Sequence, residues 1–253
     1  MDGGARSPDN SESPAAAPPG PGSVEGGEAE TALASAALTL ARRFVAGATM
    51  WCIAPEWDEH ARHVAVEFVH PVIVGTRALP AVSITAPDPV PALRAVVRPG
   101  DVILAVSTSG EASLAGLWLR APAWGATTVW VASGPAPADA RVDHLVPVDD
   151  PDGTAPHDGR LVLRYHLLWE LTHVCFEHPG LVRPPEPADA GEVCITCSDE
   201  GRLGEVLGAT GGPDAQVRTA CGVERIDVSL VGPVDRDQLV LVHAGTAISL
   251  VDA

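Results

Sequence analysis

Two short stretches carry residue types able to do chemistry. The first, VCITCSDEGRLGEV at 193–206, places Cys194 and Cys197 three apart in a chain with five cysteines. A pair at this spacing serves as half of a zinc site, as a redox couple, or as a thiolate that handles something else. A zinc ribbon needs a second close pair of ligands, and this region offers only Cys221. A thioredoxin-type pair opens a helix within a βαβ unit, whereas CITC runs through SDEG into another strand-like stretch. Cys52 and Cys175 sit inside apolar runs and read as core packing. The second stretch, STSG at 107–110, follows a continuous apolar run. Three hydroxyls and the amides at a helix start make a phosphate cradle that needs no lysine. The same residues also make an ordinary polar turn in which Ser109 or a neighbour caps a helix.

The elements that would position these groups are legible in the apolar pattern. ETALASAALTLARRFVAG has helical spacing with Gly47 placed to stop it, ATMWCIA reads as a buried strand, EWDEHARHVAVEFVH as a helix and PAVSITA as a strand. PGDVILAVSTSG gives strand then loop, EASLAGLWLRAPAWG a helix ending at Gly125, ATTVWVASG and DHLVPVDD two further strands, and GRLVLRYHLLWELTHVCFEH a long helix. Uninterrupted apolar strands that alternate with helices predict an α/β domain with a parallel sheet sandwiched by helices. In such sheets ligands sit beyond the carboxyl ends of the strands, where STSG falls. The Pro- and acid-rich 180–191 reads as a linker. Beyond it, short Val- and Ile-rich runs between Gly and Pro turns predict a small all-β barrel over 192–253. The expected division is a disordered tail at 1–28, poor in large apolar residues, an α/β domain at 29–179, the linker and the barrel.

Composition narrows the function classes. A chain of 253 residues with 46% hydrophobic content can build real cores. Its net charge of −17 comes from 33 acidic residues against 16 basic ones, every one an arginine. Such a surface repels nucleic acid and anionic membranes. The absence of lysine closes Schiff-base chemistry and the P-loop phosphate clamp. With no basic start, apolar leader or membrane-length apolar run, the expected location is cytoplasmic.

DVILAVSTSGEASLAGLWLRAPAWGATTVWVASG resembles the sugar isomerase (SIS) domain, and HARHVAVEFVH followed by TRALPAVSIT is similar to its phosphoheptose isomerase branch, the sedoheptulose 7-phosphate isomerases. The resemblance covers about residues 30–178. It implies a divalent metal, possible zinc among the candidates, and a glutamate and a histidine that move a proton between sugar carbons. His63 and Glu67 match the branch's His-x-x-x-Glu pair, and at i and i+4 they share a helix face. His173 matches its second histidine. Tyr165 stands where the branch has glutamine, with His166 beside it as a further ligand. Glu67 and His173 are the implied catalytic pair, and Ser107, Thr108 and Ser109 the phosphate or sugar contacts. APEWD at 54–58 replaces the branch's Asn-Gly-Gly-Ser loop, and Ala112 stands for a serine, with Ser113 adjacent. These departures imply binding with poor isomerisation. Relatives of this kind build sites across subunits, so a homo-oligomer through this domain is expected.

CITCSDEG together with VLVHAGTAIS resembles the HypC/HupF hydrogenase-maturation chaperones over residues 192–253. Cys194 matches that family's cysteine and His243 its histidine. The resemblance implies iron bearing cyanide and carbon monoxide, held by Cys194 and His243 with Cys197 as an additional thiol. It also implies delivery, with a HypD-like partner, to the large subunit of a [NiFe]-hydrogenase. A maturation chaperone fused to an SIS domain that binds a small anion or sugar phosphate is the leading expectation. A metal-dependent sedoheptulose 7-phosphate isomerase carrying a chaperone-like barrel is the alternative.

Overall fold

Each apolar run of the first part of the chain becomes a strand, and the alternation of its side chains decides what covers each face. The computed structural model describes residues 1, 24–71, 75–135, 141–151, 154, 157, 159–183, 201–210 and 212–251. Its five N-terminal strands are β1 (Met50–Ile53), β2 (Ala81–Ile84), β3 (Val102–Thr108), β4 (Thr127–Ser133) and β5 (His144–Val148). They form a parallel sheet in the order β2-β1-β3-β4-β5. Along β3, Val102, Leu104 and Val106 enter one core, while Ile103 and Ala105 enter the other. On β4, Val129 and Val131 face the first core, Trp130 and Ala132 the second. Both faces are therefore buried, which is why these strands are apolar without interruption.

The first core is closed by α1 (Val24–Val45), α2 (Asp58–Val69) and α5 (Arg160–Glu177). The α1 helix begins inside the stretch expected to be a tail and ends just before Gly47, whose φ of +91° stops it as expected. The second core is closed by α3 (Val90–Val96) and by residues 112–124, where α4 (Ala115–Arg120) is flanked by two 3-10 turns. The single helix expected over 111–125 is thus broken. Pro122 cannot donate the bond that would extend α4, and the chain tightens into Ala121–Trp124. A short α6 (Pro179–Val182) follows α5. Among the described residues, no helix is long and apolar enough to cross a membrane.

The remaining strands, β6 (Arg202–Ala209), β7 (Asp214–Thr219), β8 (Gly222–Asp227), β9 (Leu239–His243) and β10 (Thr246–Val251), close in the order β10-β8-β7-β6-β9. All contacts in this small barrel are antiparallel ladders except the seam, one parallel pair between Thr246 and Asp227. Val206, Val217, Ile226, Val240, Val242 and Ala247 fill its interior.

The barrel docks on the elements that cover the second face of the parallel sheet, α3, α4 and the Ala121–Trp124 turn. Glu205 on β6 is wholly buried and accepts from Arg94 Nη2 at 2.9 Å and from Trp124 Nε1 at 2.8 Å. Arg120 Nε lies 3.3 Å from the same carboxylate as an ion-pair partner without hydrogen-bond alignment. Arg94 also reaches Asp237 at 3.1 Å. Arg218 stacks over Trp124 and donates to the carbonyls of Arg94 and Val97. Gly125 permits the approach: its φ is +68°, and a Cβ there would meet the Ala220 carbonyl at 3.0 Å.

Candidate functional site

Helix α2 carries His63 and Glu67 one turn apart, and α5 packs beside it, bringing His166 to the same point. His63 Nε2 lies 3.3 Å from Glu67 Oε1 and 3.2 Å from His166 Nε2, and His166 Nε2 lies 3.7 Å from Glu67 Oε1. A tetrahedral ion with ligand bonds near 2.0–2.1 Å separates its ligand atoms by about 3.3 Å. The three donor atoms already stand at nearly that spacing. Two imidazoles and one carboxylate suit zinc or a similar divalent ion, and three protein ligands leave a position open for a ligand oxygen. The side chains are partly exposed, His63 at 40% and Glu67 at 19%, so ions and small ligands can enter.

The His63 ring is held from behind. Its Nδ1 lies 2.9 Å from the Tyr165 hydroxyl, which lies 3.2 Å from His60 Nδ1. When His63 carries its proton on Nδ1, the phenol oxygen accepts it and its own proton is free to go to His60. That tautomer turns the lone pair of His63 Nε2 toward Glu67 and His166, as a ligand requires. Burial, and secondarily the Glu67 carboxylate, push the Tyr165 phenol well above its usual range, which keeps it a neutral hydroxyl.

Of the four residues expected around this metal, three converge and His173 does not. Its Nδ1 faces the Trp169 carbonyl at 2.9 Å and its Nε2 the Arg77 carbonyl at 3.0 Å, and the ring is buried against Trp169, Phe68 and Phe176. The seven residues from His166 to His173 return to the same helix face but advance about 10 Å along it. Shared face is not shared site. The expected pairing of Glu67 with His173 is therefore not formed in this geometry.

The strand-end loop also departs from expectation. Ser107 is buried, accepts from Trp130 Nε1 at 2.9 Å and donates to the Thr108 carbonyl, so its hydroxyl belongs to the core. Thr108 is taken by Glu56, a residue of the β1–α2 loop: its amide donates to Glu56 Oε2 at 2.8 Å and its hydroxyl to the same oxygen at 3.0 Å. Ser109 donates its amide to the Ser133 carbonyl. Glu111 caps the next turn by accepting from the Ser113 amide at 2.8 Å. Neither glutamate was singled out in the sequence. The proximity of 54–58 to the β3 loop depends on β1 lying beside β3, and one chain read alone does not fix strand order.

Cys194 and Cys197 lie outside the described residues. His243 ends β9 at a tight turn where Ala244 takes φ +47° and Gly245 φ +81°. Cys52 and Cys175 are buried as expected, and burial pushes both thiols up.

No family model and no curated protein matches the chain. Among solved structures, it is similar to a phosphoheptose isomerase from Francisella tularensis, at 14% identity over 57% of this chain and 86% of that one, with a TM-score of 0.49. It is also similar to a phosphoheptose isomerase from Neisseria gonorrhoeae, at 20% identity over 60% and 90% of the two chains, with a TM-score of 0.44. At these scores the parallel sheet and its strand order, rather than the likenesses, carry the description of the fold.

Proposed function

We propose that the α/β domain is a divalent-metal centre of the sugar isomerase type, working on a polyhydroxylated carbonyl ligand through His63, Glu67 and His166. The observation that carries this reading is the triangle of donor atoms from two helices, with edges of 3.2, 3.3 and 3.7 Å. A divalent ion bound there supplies Lewis acidity to a ligand carbonyl or hydroxyl. The protein supplies the rest. Tyr165, in contact with both His63 and His60, orients His63.

Equilibrium zinc titration of the full chain tests the reading: one equivalent bound by the native chain, and binding lost in His166→Ala, supports it. Unchanged binding in that variant removes it. A coupled assay with sedoheptulose 7-phosphate tests the narrower isomerase activity, for which turnover abolished in Glu67→Gln is the supporting result. The hydrogenase-maturation reading of 192–253 rests on Cys194, outside the described residues, and on His243 at the end of β9, and draws no support from the comparisons.

A further inference from the structure

The β3 loop has the position of an anion cradle, and of the seven amides from Thr108 to Leu114 all but those of Gly110 and Ala112 donate to partners among the described residues. Thr108 donates to the Glu56 carboxylate, Ser109 to the Ser133 carbonyl, Glu111 to the Thr108 carbonyl, Ser113 to the Glu111 carboxylate and Leu114 to the Glu111 carbonyl. Two of these five acceptors are carboxylates of the protein itself. Glu56 is the more telling. It comes from a different loop, 52 residues away in sequence, and it engages both the amide and the hydroxyl of Thr108. Its two oxygens thus make the contacts that two oxygens of an arriving phosphate would make. Such charge-assisted bonds are short and strong relative to neutral ones.

We infer that Glu56 is a specificity-determining residue: its carboxylate stands in for a phosphate on Thr108 and excludes phosphorylated ligands from the β3 loop, leaving ligands without a phosphate there as the accepted class. This rests on the reading of the α/β domain as a sugar-type site, and it names the ligand class of that site. A phosphate entering the loop meets a like charge at contact distance and finds its two donors already engaged. The electrostatic repulsion and the occupied donors act in the same direction. Glu56 is exposed and packs no core, so its replacement leaves the sheet intact.

The test follows the Thr108 amide by nuclear magnetic resonance in the full chain during titration with inorganic phosphate. In the native chain this amide should show no saturable shift. In Glu56→Ala it should shift saturably, with affinity on the order of tenfold or more above native. Glu56→Gln, which keeps the size but not the charge, should fall between them. Saturable phosphate binding at Thr108 in the native chain, turnover of sedoheptulose 7-phosphate by the native chain, or no gain in Glu56→Ala overturns the inference. Zinc titration of Glu56→Ala separates the two readings. Intact zinc binding with no gain in phosphate binding sinks the role of Glu56 alone, whereas zinc that fails to bind even the native chain sinks the metal centre and leaves the phosphate result to judge Glu56.

Discussion

Two charged clusters in this protein are built from similar parts and behave oppositely. At the docking surface, Glu205 lies wholly buried among Arg94, Arg120 and Trp124, with its oxygens engaged from three sides. At the helix pair, His63, Glu67 and His166 are partly exposed and turn their donor atoms toward one another. The first cluster turns its nitrogen groups onto a wholly buried carboxylate, which makes it structural. The second brings its donor atoms together at a partly exposed face, the arrangement on which the proposed metal centre rests. The distinction lies in burial and in where the donors point, because both clusters contain an acid between nitrogen-bearing side chains.

The sharpest way to break this contrast is Glu205→Ala. Two partly buried guanidinium groups would lose their shared partner, although Arg94 keeps Asp237, so the cost should lie below the roughly 3–5 kcal/mol of a fully buried pair. Denaturant unfolding should show the loss, while zinc affinity stays within a factor of two or so of native. A coincident collapse of zinc binding would mean that the clusters are one system. His63→Ala should do the reverse. Zinc affinity should fall on the order of a hundredfold, since outer-shell changes alone reach tenfold to a hundredfold, with stability changed by about 1 kcal/mol or less.

Gly125→Ala sharpens the structural side. A Cβ at φ +68° that also meets the Ala220 backbone should cost about 1–3 kcal/mol and be read as an earlier unfolding midpoint. An unchanged midpoint would show that the barrel is not held where Gly125 meets it. Tyr165→Phe is the mildest change, removing one oxygen behind His63. Zinc affinity should drop about tenfold, and the nitrogen resonances of His63 should report mixed tautomers. A native tautomer in that variant would relieve Tyr165 of its orienting role.

Much of the first sheet was legible because both of its faces are buried. VILAVST and TTVWVAS carry apolar, β-branched cores of strand length bounded by glycine turns, which separates them from buried helix segments. Helix α3 was not read, since VPALRAV is short and carries a proline near its start. At the site, the four-residue step from His63 to Glu67 fixed a shared face, and a helix rise of 1.5 Å per residue explains why His173 fell short of it. Glu56, Arg94 and Glu205 were illegible for one reason. Each acts across elements whose neighbours are set by strand order and docking, and an acidic residue in a loop looks, in sequence, like any solvated one.

The barrel's seam bears on how the chain reaches its final form. Strands β9 and β10 are joined by a turn of two residues, so their ladder forms from near neighbours and can assemble early. Closure onto β8 gains only the Thr246–Asp227 pair and brings together positions 19 residues apart. That joint is the least rewarded step of the ring and the cheapest to reverse. Amide hydrogen exchange should therefore find β10 opening from β8 far more often than β6 parts from β7, so the barrel breathes at its seam while its other ladders hold.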